Sequence, residues 1–232
     1  MTGTRRGRTA LFATALLVAL AGCGSDTQQT ETGRQASAEL KHIFAALTGR
    51  GKGTAKPVDA ETIAREGLAA NKGPMILASL ENHGFTQILG MTGENGSMRT
   101  YFTPDNQAVI LRGGMLAGTR GFGFDITSAE TEALGALVRG RRAGTAQLVL
   151  RMLDGLGIER PLPLECTTRA GASTSYPFAG ITWSGTQMVA HCEGQGYSLD
   201  NTFIVANSGQ IVASRQWVGP TVGYMTIQLL RD

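Results

Sequence analysis

The side chains able to carry chemistry in this 232-residue chain are few: three histidines, eighteen carboxylates, and two segments where arginine stands among glycines and aromatics. His42 lies in an apolar-periodic stretch, His83 in an Asn-His-Gly turn and His191 beside Cys192, so no two share metal-ligand spacing. There is no G-x-S-x-G elbow, no H-E-x-x-H and no P-loop. Gly121 to Asp125 read GFGFD, which lacks the third glycine of a dinucleotide fingerprint and the long helix that must follow it. Cleaving a glycosidic bond needs two carboxylates across it, and Asp125 has Glu130, Asp154, Glu159, Glu193 and Asp200 as possible companions. Spacing singles out no pair, so no catalytic residue, metal site or cofactor is assigned.

The two distinctive segments are LRGGMLAGTRGFGFDITSAE, Leu111 to Glu130, and ASRQWVGPTVGYMTIQLL, Ala213 to Leu230. The first sets Arg120 and Asp125 around a Gly-Phe-Gly-Phe loop. The second sets Arg215, Gln216 and Trp217 ahead of Gly219-Pro220 and Tyr224. On a structural reading, Arg120 and Asp125 pair locally while Trp217 and Tyr224 are core or near-core aromatics. On a ligand reading, the rings stack on sugar faces and the polar groups hydrogen-bond hydroxyls. Both stand at this point.

The compartment is written at the start of the chain. Arg5, Arg6 and Arg8 precede an apolar run from Ala10 to Ala21, the layout of a signal peptide over residues 1–22. It ends Leu20-Ala21-Gly22-Cys23, which resembles the bacterial lipobox, so Cys23 is the expected site of lipidation and cleavage. Gly24 follows where an Asp would favour inner-membrane retention, and the expected location is the outer membrane, facing the periplasm. Two or more acyl chains suffice for a stable anchor. The whole chain holds 21 Lys and Arg against 18 Asp and Glu; without the three signal arginines the counts are 18 and 18. A neutral protein has no general attraction for nucleic acid. Cys166 and Cys192 remain, and in an oxidising periplasm a disulfide is their expected state.

The elements that must position these residues follow from periodicity. Residues 23–34 contain no apolar side chain beyond the lipidated Cys23 and read as a tether. Residues 35–73 read as helical: Leu40, Ile43, Phe44 and Leu47 share one face of a helix from Gln35 to Leu47, and Asp59 caps a second that runs to Ala70. From Pro74 to Asp232 the period becomes that of strands. Expected strands are 75–80, 85–91, 97–103, 108–111, 115–119, 147–153, 164–168, 176–183, 187–193, 201–205, 211–218 and 224–230, with a helical turn at 127–137 capped by Ser128. Many short strands between turn residues predict a mainly β fold: an antiparallel barrel or sandwich-like single domain with one or two N-terminal helices.

A strand running into GMLAGTRGFGFDITSA, a late cysteine, then SRQWVGPTVGY and a terminal strand together resemble the YjbF/GfcB family of lipoproteins, from about Pro74 to the C-terminus. Phe122 and Thr127 depart from the family's Leu and Met. The resemblance implies a barrel-like fold and an accessory role in capsule or exopolysaccharide secretion, with exopolysaccharide and an outer-membrane β-barrel export protein as partners besides the membrane itself. It makes Arg120, Gly121, Gly123, Asp125, Arg215, Gln216, Trp217 and Tyr224 the family's recognisable positions. The competing reading is a periplasmic glycan-modifying enzyme with an acidic pair.

Overall fold

The computed structural model describes residues 59–232. The signal segment, Cys23, the tether and the helix expected at Gln35 to Leu47 lie outside the described residues. Helix α1, Ala60–Ala70, starts where Asp59 accepts the Glu61 amide at 3.2 Å, an N-cap that satisfies one of the open first-turn donors. It ends at Asn71, before Gly73 and Pro74.

Twelve strands follow: β1 (Met75–Leu80), β2 (Thr86–Asn95), β3 (Met98–Phe102), β4 (Ala108–Arg112), β5 (Met115–Arg120), β6 (Ile126–Glu130), β7 (Gly144–Leu153), β8 (Glu159–Phe178), β9 (Ile181–Gly194), β10 (Tyr197–Val205), β11 (Ile211–Gly219) and β12 (Gly223–Arg231). Helix α2, Glu132–Arg139, sits between β6 and β7. All pairs are antiparallel, in the order β5-β4-β3-β2-β1-β12-β11-β10-β9-β8-β7-β6. Each strand therefore neighbours those before and after it in the chain, and β1 meets β12, so the sheet curls into a nearly closed up-and-down barrel. Only the seam between β5 and β6 lacks a ladder.

Period-2 alternation fills the interior. Ile76 and Ala78 of β1, Leu148 and Leu150 of β7, Leu162 and Leu164 of β8, Phe203 of β10 and Met225 and Ile227 of β12 all point into one cluster that plugs the barrel. Burying each such leucine or isoleucine contributes roughly 1.5–3 kcal/mol. The same strands turn Thr145, Gln147, Glu165 and Thr167 to solvent. A second cluster lies outside the barrel, where Ala60 and Ala64 of α1, and Tyr176 and Phe178 at the far end of β8, cover Met75, Leu77, Ile204 and Leu230. Cys166 and Cys192 are ladder partners in the interior and form a disulfide across β8 and β9. Closing a loop of 26 residues is worth roughly 3–4 kcal/mol in the chain-entropy account.

Three sequence expectations change. Residues 126–130 form a strand, because Ile126 and Ala129 face Met152 and Leu150 of β7; the helix begins only at Glu132, after Thr131 rather than Ser128. The strand expected at 176–183 is the tip of a hairpin, folded at Ala179 and Gly180, whose φ values of 53° and 81° suit a tight two-residue turn. The short strand at 164–168 is the middle of a 20-residue strand that runs through Pro161 and Pro163. Proline reads as a strand breaker, yet both pair in register with β7, opposite Arg151 and Val149.

Candidate functional site

The first motif closes the barrel. Gly121 takes φ +85°, a conformation that suits glycine, and the chain turns so that Asp125 reaches back across its own loop. Its carboxylate accepts the Thr119 hydroxyl at 2.9 Å and the amides of Gly121 and Phe122 at 2.8 and 3.1 Å. The Thr119 hydroxyl in turn accepts the Ile126 amide at 3.0 Å, replacing a ladder bond at the open seam. The Asp125 carboxylate thus gathers three donors from β5 and its own loop. The local pairing with Arg120 that the structural reading of the sequence offered is absent: Arg120 stays exposed at the end of β5.

The second motif crosses the barrel. Gln216 is buried; its carbonyl oxygen accepts the Leu116 amide at 2.8 Å, and its amide donates to the Gly114 carbonyl at 3.0 Å and the Ser214 hydroxyl at 2.9 Å. It thus holds the edge strand β5 from β11 on the other side of the barrel. Arg215 forks onto Glu81 at 2.5 and 2.9 Å and lies 3.4 Å from the centroid of the Tyr224 ring, with the pair only 12% and 21% exposed. Burial pushes the Tyr224 phenol up, and its oxygen accepts the Asp200 amide at 3.3 Å. Trp217 packs in the barrel core and against Tyr197, ring centroids 5.3 Å apart, while its backbone amide donates to Asn201 at 2.8 Å. That packing leaves little of the indole face for a pyranose.

The candidate acidic pairs are also engaged. Glu130 bonds Arg151; Asp154 holds Arg160 at 2.9 Å; Glu159 lies 3.8 Å from Arg151. Asp200 and Glu193 flank His191 at 2.8 and 3.2 Å. The Asp200 hydrogen bond is the main cause that raises the His191 pKa above the ordinary histidine range. Among the described residues no group of three or more His, Cys, Asp or Glu is placed to hold a metal ion.

What the motifs leave open is a cavity of about 260 Å³ at the end of the barrel where the β2–β3, β4–β5 and β10–β11 turns meet. Its floor is apolar, formed by Ile76, Leu111, Ile227 and Leu229 beside Tyr101. Its polar lining comes from Ser97, Gln210, Ser214, Arg99 and Arg139, with the carboxylates of Glu94 and Asp232. Arg99 is held by Glu94 at 3.1 Å and by Asp232. The Arg139 guanidinium rests on the β4–β5 turn, where a Cβ on Gly113 would stand 2.7 Å from its Nη1, and it has no ion pair among the described residues. A Cβ on Gly114, φ +86°, would stand 2.7 Å from the Ile211 side chain, so this part of the mouth requires glycine. Sequence reasoning missed Arg99 and Arg139 because nothing near them in the chain marks them; they converge only when β3 and α2 arrive at one barrel end. The two segments reach this mouth through Leu111, Gly113, Gly114 and Ser214, and of the candidate ligand residues Gln216 bears on it, through Gly114.

The fold and site define a small antiparallel barrel plugged by its own side chains, with a polar-rimmed cavity at one end. The family described as group 4 capsule polysaccharide lipoprotein gfcB, YjbF matches residues 37–230, and the chain belongs to that family. Among solved structures, the hypothetical lipoprotein YmcC from Escherichia coli (K12) is similar in fold, with a TM-score of 0.62 at 17% identity, covering 73% of this chain and 89% of that one. No curated protein matches the chain.

Proposed function

We propose that the protein is an accessory lipoprotein of exopolysaccharide secretion, lipidated at Cys23 and anchored to the outer membrane facing the periplasm, which holds a segment of glycan in the barrel-end cavity without cleaving it. The observation that carries this reading is the cavity: hydroxyl, amide, guanidinium and carboxylate groups around an apolar floor with a tyrosine, in a chain of a capsule-polysaccharide lipoprotein family. Sugars present just such a mixture of hydroxyls and apolar ring faces. At about 260 Å³ the cavity is slightly smaller than pockets for drug-sized ligands, a size suited to a sugar unit or chain end. An outer-membrane β-barrel export protein is the natural recipient of the glycan.

The alternative, a glycan-modifying enzyme, meets acids that are already engaged: Asp125 is bonded by its own loop, the other five candidates lie against arginine or histidine, and Glu94 and Asp232 at the cavity both pair with Arg99. The test is a titration of residues 34–232, disulfide formed, with the host's purified exopolysaccharide. Saturable binding that is lost in Arg139→Ala and kept in Arg120→Ala is the expected result. No binding at about millimolar glycan, a ceiling of roughly −4 kcal/mol, refutes the glycan role.

A further inference from the structure

The large hydrophobic side chains exposed among the described residues are Leu153, Leu156, Ile158 and Tyr197, at 48%, 84%, 47% and 38%. They gather at one place. Strands alternate in direction, so turns that follow odd-numbered strands share one end of the barrel and turns that follow even-numbered strands share the other. Leu153 ends β7, Leu156 and Ile158 belong to the β7–β8 turn, and Tyr197 opens β10 after the β9–β10 turn, all at the end opposite the cavity. Beside them an open groove of about 170 Å³ is lined by Phe124, Leu162, Tyr197 and Pro220.

We infer that this end of the barrel rests on a lipid surface, with the β7–β8 turn entering the headgroup and acyl boundary. The inference relies on the anchoring at Cys23 stated above. The turn is built for an apolar phase. Backbone amides cannot enter hydrocarbon unpaired, and here the Asp154 carboxylate accepts the amides of both Leu156 and Ile158 at 2.9 Å. The Asp154 amide donates to the Ile158 carbonyl at 2.9 Å, and the Gly157 amide to the Asp154 carbonyl at 2.9 Å. The bonds to its carboxylate, from the Ile158 amide first and then from Arg160, hold the Asp154 carboxyl below its usual range. Glu159 lies against Arg151 and accepts the Thr127 hydroxyl at 2.8 Å. The nearest acids are thus offset toward an anionic membrane, while Leu156 protrudes from a convex tip.

A protein anchored at Cys23 stays beside a bilayer, and of the two barrel ends the apolar one gains by meeting it. With that end down, the cavity opens away from the membrane.

The test uses the mature lipidated protein in vesicles of phosphatidylethanolamine and phosphatidylglycerol, with and without brominated acyl chains. Leu156→Trp and, at the opposite end, Ser208→Trp each add one indole to the native Trp183 and Trp217. Brominated lipid is expected to quench the emission added at 156 and spare that added at 208. Equal quenching at both positions, or none at 156, overturns the inference. A second measurement removes the anchor: the unacylated chain from Gly24 floats with vesicles, and Leu156→Asp weakens this by roughly tenfold or more. If Leu156→Asp abolishes polysaccharide secretion in cells while neither vesicle signal appears, the turn meets a protein and the lipid assignment is wrong. The mass of the purified protein reads acylation at Cys23 separately, so failure of the anchor and failure of the tip are distinguished.

Discussion

The Thr119 hydroxyl donates to Asp125 at 2.9 Å while accepting the Ile126 amide at 3.0 Å, so two side chains do at the β5–β6 seam what a ladder does elsewhere. In this respect the Gly-Phe-Gly-Phe motif is a clasp.

Removing the clasp is therefore a stability experiment. Asp125→Ala strips three donors of their acceptor, and hydrogen bonds to a charged group contribute about 1.5–3 kcal/mol each at most, with losses that do not add. A total loss of roughly 2–4 kcal/mol is expected in urea unfolding, with glycan affinity of the folded fraction unchanged. A variant of full stability with lost binding would return Asp125 to the ligand reading.

The Arg215 fork gives a second prediction. Lysine cannot reproduce two parallel bonds to Glu81 or stack flat on Tyr224. Arg215→Lys should cost about 2 kcal/mol, and a double-mutant cycle with Glu81→Gln should return a coupling of roughly 1–3 kcal/mol because the pair is mostly shielded from water. Coupling near zero would show that the pair is merely a surface contact.

Gln216 links the fold to the cavity. Gln216→Leu leaves the Leu116 amide and the Gly114 carbonyl unpaired in the interior, at a cost of roughly 2–3 kcal/mol. Because Gly114 lines the cavity, glycan binding should weaken as well, in a titration run below the denaturation midpoint. Unchanged affinity would place the binding surface elsewhere.

The His191 shift sets a pH dependence. Its folded-state pKa is raised, chiefly by Asp200, so the unfolded state gives up its proton at lower pH than the folded one. The stabilisation is complete below the unfolded value near 6.5 and is lost as pH rises through the folded value above it. The side chain is 41% exposed, so the effect is modest and screened by salt. Unfolding midpoints measured from pH 6 to 9 at low ionic strength should fall in wild type more than in His191→Gln. Parallel curves would assign the slope to other groups.

Much of this was legible beforehand for local reasons. Asp59 caps α1 because the cap is a contact between near neighbours, and alternation along β7 and β10 reports burial because side chains point to opposite faces. The boundaries of β6 and β8 were not legible. Ser128 is as good a cap by type as Thr131, and Pro161 reads as a breaker until β7 is known to lie beside it.

From the sequence alone came the β class, the Cys166 and Cys192 pairing and the segments 111–130 and 213–230 as the distinctive parts of the chain, since each depends on residue type and short-range spacing. Which contacts those segments make was decided by tertiary structure. Asp125 meets Thr119 within its own loop, but Gln216 meets Leu116 a hundred residues away, and Arg99 and Arg139 reach one cavity mouth from β3 and α2. Such contacts depend on how twelve strands curl until β1 meets β12, and no local pattern encodes where the curl brings two distant side chains.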